Sequence, residues 1–210
     1  MPTSRTRLTE SSVNGQVIVD KRDAIVEAAT GQLISTGLSS FTVARVARAA
    51  RASSALVHYH FATKQRLLLA AAERLASRRT TLRLQRLEGA RGLAALDALW
   101  DALVAGAARD AERAWHDLLL LARDDAAVAA LLRRERERES RALAARLPRL
   151  LAELDSRPRI PPETLSSLVV TFLDGMACAI AMGADAGELR GAYDAFCLAL
   201  VALGQAPSVP

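Results

Sequence analysis

His58, Tyr59, His60 and Lys64 crowd one short segment with side chains that could ligate a metal, move a proton or meet a phosphate. A metal site needs converging ligands. His58 and His60 are two residues apart, so on a helix they point in different directions, and no Cys or carboxylate cluster stands beside them. His116 and Asp117 are of the types that do general-base work, yet no nucleophile or glycine-rich oxyanion loop accompanies them. They are read instead as polar positions lining or flanking a cavity. P-loop, GxGxxG and HExxH patterns are all missing. Cys178 and Cys197 lie far apart in apolar helical patterns and are read as buried free thiols. The expectation is a protein without a catalytic residue, metal or cofactor, and not an enzyme. What remains is a set of hydroxyls and cations: Thr42, Ser53, Ser54 and Thr63 beside Arg51 and Lys64.

These residues need two short helices and a corner to position them. Thr42 is placed to cap a first helix, in which Val43, Val46, Ala47 and Ala50 share one small apolar face. Ala50, Arg51 and Ala52 form the candidate corner. Ser53 or Ser54 can cap a second helix that carries Leu56 and Val57 and ends at His60. Thr63 can cap a third. Two short helices around a tight turn form the helix-turn-helix, whose second helix enters the major groove of DNA.

Charge placement supports that reading. Residues 1–87 hold 14 Lys/Arg against 5 Asp/Glu, a balance of +9, and residues 88–210 hold 14 against 18, a balance of −4. Attraction to phosphates at one end of a molecule requires such an asymmetry. Alanine and leucine dominate, aromatics are scarce, and an all-α fold follows. No run of 18 uncharged apolar residues and no secretory segment are seen, so a cytoplasmic protein without a membrane span is expected.

Residues 1–19 read as a disordered arm, with Arg5 and Arg7 available to a DNA minor groove. Asp20 is expected to open the first helix and Gly37 to end it in the left-handed conformation. From Thr63 a long helix runs to about Leu87, its arginines forming a mostly solvated face. A helix ending near Arg109 follows, then one capped by Asp110, then a long one from Asp125 to about Leu154. Its RRERERES stretch (133–140) alternates charge and is expected on the surface. Pro148 should kink that helix. The proline-rich stretch 156–162 reads as a linker. Leu165, Val169, Phe172 and Met176 on one terminal helix, and Tyr193, Phe196 and Leu200 on the next, step as in helix-bundle seams and are expected to form a dimer interface.

The run Phe-Thr-Val-x-x-Val-Ala-x-x-Ala, corner, Ser-x-x-x-Val-x-Tyr-His-Phe, then Thr-Lys, resembles the TetR family of bacterial transcriptional regulators over about residues 20–70. The resemblance implies about nine helices: an N-terminal three-helix DNA-binding domain at 20–66, with the motif at about 42–61, and a regulatory and dimerisation domain at 67–206. It implies that Thr42 and Lys64 reach phosphate. It places Ser53, Ser54 and Ala55 at the start of the reading helix, and His58, Tyr59 and His60 against the DNA backbone. The family's corner usually holds glycine where this chain has Arg51, which would carry a conformational cost of about 1 kcal/mol and could add a phosphate contact.

The function expected is a sequence-specific regulator that represses from a palindromic double-stranded operator as a homodimer and is released by a small-molecule effector. Trp100, Trp115 and His116 are candidates for the effector pocket, which should be largely apolar. The competing reading is a helical small-molecule binder or enzyme in which the helix-turn-helix is incidental.

Overall fold

The computed structural model describes residues 8–203, with side chains over 21–106 and 109–203. Among the described residues there are nine α-helices and no strand. The chain divides into two compact units, Met1–Arg74 and Leu75–Pro210.

The first unit is built on α1 (Leu8–Thr36), α2 (Val43–Ala49), α3 (Ser54–Phe61) and the opening of α4 (Lys64–Glu88). Helix α1 starts at Leu8, not at Asp20. No proline interrupts Leu8–Asp20, and extending an existing helix costs little per residue. Arg5 and Arg7 lie outside the described residues. Gly37 ends the first element with a positive φ of 72°, and a 3₁₀ turn (Leu38–Ser40) leads to Phe41. Ile25, Ala29, Leu33, Phe41, Val46, Val57, Phe61, Leu67 and Ala71 close into one small core. The buried Thr30 hydroxyl donates to the Val26 carbonyl at 2.8 Å, which satisfies its polar group.

The second unit takes the rest of α4 with α5 (Gly92–Val104), α6 (Gly106–Leu121), α7 (Ala126–Ala152), α8 (Pro162–Ala181) and α9 (Ala186–Ala202). Asp110 does not start a helix; the break falls at Ala105, and Asp110 pairs with Arg113 inside α6. Asp125 caps α7 by accepting from the backbone N–H groups of Ala127 and Val128, and α7 runs on through Pro148. The core joins Leu99, Trp100, Leu143, Leu150, Leu165, Val170, Leu173 and Tyr193. Helix α8 is long and apolar enough to cross a membrane by length and composition, with a mean hydropathy of 1.7. Here it is a core helix, packed on α5, α6 and α7 and carrying Asp174 in a cluster of arginines.

Two expectations about charge are overturned in this unit. Arg79 and Arg83 of α4 are buried, and so are Glu135 and Glu139 of the RRERERES stretch. Spacing explains both. Residues four apart share a helix face, so Arg79 and Arg83 face the carboxylates of other helices together. The intervening residues keep the solvated face.

Candidate DNA-binding surface and regulatory cavity

Local capping positions the first site. The Thr42 hydroxyl accepts from the Arg45 N–H at 3.3 Å, Ser53 accepts from Leu56 N–H at 3.1 Å, and Thr63 accepts from Arg66 N–H at 3.1 Å. Each satisfies a backbone donor that a helix start would otherwise leave open. Of the two serines, Ser53 is thus the cap, while Ser54 is the first residue of α3. Between α2 and α3, Arg51 has φ 50°. Its N–H donates to the Arg48 carbonyl at 3.2 Å, and the Ala52 N–H donates to the Ala47 carbonyl at 2.9 Å. This pair of bonds is the Schellman helix ending, whose left-handed position glycine normally fills. The corner therefore keeps the standard geometry with an arginine in it. Asp155 ends α7 the same way, at φ 54°.

Thr42, Arg51, Ser53, Ser54, Ala55, His58, Tyr59 and Lys64 are all exposed, and the Tyr59 ring is 75% accessible. They sit along the corner, the reading helix and the start of α4. Val57 and Phe61 on the opposite face of α3 anchor it in the core. His60 differs from its exposed neighbours. Its ring is half-buried, edge-on to Tyr59 at 5.3 Å, with a buried Nε2 that has no hydrogen-bond partner among the described residues. Arg45 and Arg48, exposed on α2, extend the positive surface and were not singled out from sequence. Their three-residue spacing was the available signal.

Residues 25–79 match the family profile described as bacterial regulatory proteins, tetR family. Residues 25–79 are thus similar to the DNA-binding domain of that family. Solved structures extend the likeness of fold to most of the chain. A TetR transcription regulator from Haloarcula marismortui is 24% identical, with a TM-score of 0.70, covering 89% of this chain and 100% of its own. A proposed TetR-family regulator from Rhodococcus sp. is 19% identical, with a TM-score of 0.66 and coverage of 88% and 98%. A proposed regulator from Saccharomonospora viridis, solved in complex with choline, is 18% identical, with a TM-score of 0.65 and coverage of 85% and 95%. No curated protein sequence matches the chain. The chain thus joins a tetR-type DNA-binding domain over residues 25–79 to the overall fold of these regulators.

The second unit holds a cavity of about 310 Å³. Trp115, Leu119 and Leu132 line it together with Arg79, Arg133, Glu135, Arg136, Glu139 and Asp174. Most of its accessible wall is apolar, although six charged side chains border it. Trp115 is at its wall, with the Arg79 guanidinium 4.3 Å from its ring centroid. Trp100 is not: it packs in the core 5.2 Å from the Tyr193 ring. His116 does not line the cavity either, and its Nδ1 lies 2.7 Å from the Glu112 carbonyl.

Behind the cavity lies a buried ion network. Arg79 donates to both oxygens of Glu112, at 2.8 and 2.7 Å, and to Asp174 at 3.2 Å. Arg83 donates to Glu139 at 2.7 Å and to Asp174 at 3.2 Å. Arg136 donates to Asp174 at 2.6 Å and to Thr171 at 2.7 Å. Burial disfavours the charged form of Arg83, but Glu139, Glu112 and Asp174 outweigh it and hold its pKa above the ordinary value. Helices α4, α6, α7 and α8 are thereby tied through one set of charges.

The residues expected at a dimer interface are mostly core residues of a single chain. Leu165, Val169, Met176, Tyr193 and Leu200 are buried, and Phe172 and Phe196 stack at 3.7 Å between α8 and α9. The exposed faces of these two helices carry Leu168, Thr171, Gly175 and Met182 on α8 and the residue after it, and Gly191, Ala195, Leu198 and Leu203 on α9 and just past it.

Proposed function

We propose that the chain is a cytoplasmic homodimeric repressor of the TetR family that binds a palindromic operator and leaves it when a small molecule enters the second unit. The observation that carries the DNA part is the exposed row from Thr42 through Arg51 and Ser53 to Lys64, held by three side-chain caps. In this reading Thr42, Arg51 and Lys64 meet phosphates. Ser53, Ser54 and Ala55 meet base edges and phosphates, and Tyr59 packs on the backbone with His58. His60 helps to seat the Tyr59 ring.

One short helix gives little affinity, so two heads on two half-sites are needed. Pairing is assigned to the exposed stripes of α8 and α9 that carry Leu168, Gly175, Ala195 and Leu198, where glycine and alanine let helices approach closely. Effector control is assigned to the cavity beside Trp115. A structural relative crystallised with choline supports small-molecule binding within this fold.

The test is affinity for DNA from the region upstream of the gene, measured across salt. Several phosphate contacts per head predict a steep linear fall of log K with log salt, with a slope of about −0.9 for each contact. A flat response, or equal affinity for every duplex, would refute a sequence-specific repressor.

A further inference from the structure

Three arginines (79, 133 and 136) and three carboxylates (135, 139 and 174) line the 310 Å³ cavity. Every one of these carboxylates already engages arginine. Asp174 takes Arg79, Arg83 and Arg136, and Glu135 takes Arg134 and Arg138 at 3.4 and 3.1 Å. Arg133 lines the cavity, is exposed, and has no ion-pair or hydrogen-bond partner among the described residues. Arg136 spends one bond on Asp174 and one on Thr171, which leaves N–H donors to spare. The carboxylates of the wall are thus all engaged, and the donors left over are guanidinium N–H groups of the exposed Arg133 and Arg136. An entering cation would meet carboxylates already taken and arginines that repel it. An anion would meet vacant guanidinium donors.

Size and lining set the rest of the ligand. A volume of about 310 Å³ stands at the small end of the ~300–1,000 Å³ usual for ligand pockets. Leu119, Leu132 and Trp115 offer apolar contact within the same lining.

We propose that the cavity takes a small organic monoanion, a carboxylate on an aromatic or aliphatic body. Arg133 and Arg136 hold its charge, and Trp115, Leu119 and Leu132 hold its body. This assignment rests on the ligand-controlled reading above and names the class of effector.

The experiment uses the full chain and three probes with the same hydrocarbon body: 4-phenylbutyrate, 4-phenylbutanol and 4-phenylbutylamine. Binding is read by titration calorimetry and by thermal shift, since a ligand bound only to the folded protein must raise its melting temperature. Phenylbutyrate should bind about tenfold or more tightly than the alcohol, with the amine weakest. Arg133→Gln, which breaks no ion pair, should remove most of that preference without lowering the melting temperature of the free protein, and Arg133→Lys should restore part of it. Equal binding of the three probes, tightest binding of the amine, or an unchanged preference in Arg133→Gln would overturn the anionic class. Absence of saturable binding by all three at millimolar concentration would overturn it too. Phenylbutyrate that binds as expected yet leaves DNA affinity unchanged would instead sink effector control and leave the anion site standing.

Discussion

Arg51 offers a clean separation of backbone from side chain. At φ 50° it holds the left-handed position of a Schellman ending, with both backbone bonds in place. A non-glycine residue there carries ~1–2 kcal/mol of steric cost. Glycine removes that cost but frees the unfolded chain, which takes back about 0.4–1 kcal/mol. Arg51→Gly should therefore be more stable than Arg51→Ala by about 0.5–1 kcal/mol, because both lose the guanidinium and differ only in Cβ. Urea unfolding of the two variants, compared by midpoint at equal slope, measures the difference. If Arg51 also contacts a phosphate, both variants should lose DNA affinity by the same factor and reduce the salt slope by about one per head. Arg51→Gly proving no more stable than Arg51→Ala would refute the strain argument. A loss of DNA affinity in one variant alone would refute the phosphate contact.

Four more outcomes are expected. Lys64→Ala should weaken binding to all duplexes alike and lower the salt slope by about one per head, whereas a changed sequence preference would reassign Lys64 to base reading. Arg83→Met should destabilise the fold by about 3–5 kcal/mol in urea unfolding, since it strands buried Glu139 beside Glu112 and Asp174; a near-neutral result would mean that the network is solvated. Leu198→Asp should leave the single chain folded by circular dichroism, because this side chain is 69% accessible, and should abolish a dimer by burying an unpaired charge; a dimer persisting in ultracentrifugation would exclude this face. Burial, opposed by the Tyr193 hydrogen bond, pushes the Cys197 thiol up to about 11 from an ordinary 9.0. The unfolded chain thus loses its proton first, and stability should fall as pH rises from about 9 to about 11 in urea midpoints measured across that range.

The helix-turn-helix was readable because every determinant is local. Thr42, Ser53 and Thr63 each act on a backbone group three residues away, and the Arg51 corner is closed by bonds reaching three and five residues back. Such contacts are written in spacing alone. Element order followed from the same short-range signals. Where α1 begins and where α5 ends did not, because no strong stop residue marks either boundary.

Which stripe of a helix faces which neighbour is a different kind of question. On α8 the sequence shows one apolar stripe through Leu165, Val169 and Met176 and a second through Leu168, Gly175 and Met182; only packing assigned the first to the core and left the second exposed. The buried charges were hidden for the same reason. Arg79 finds Glu112 and Asp174 across 33 and 95 residues of sequence, and an arginine that is solvated or buried looks identical until its partners arrive. The sequence by itself determined the DNA-reading motif, because its geometry is set by bonds within a few residues. The tertiary structure alone decided the charged cavity and the free faces of α8 and α9, because burial depends on elements that meet only when the chain has folded.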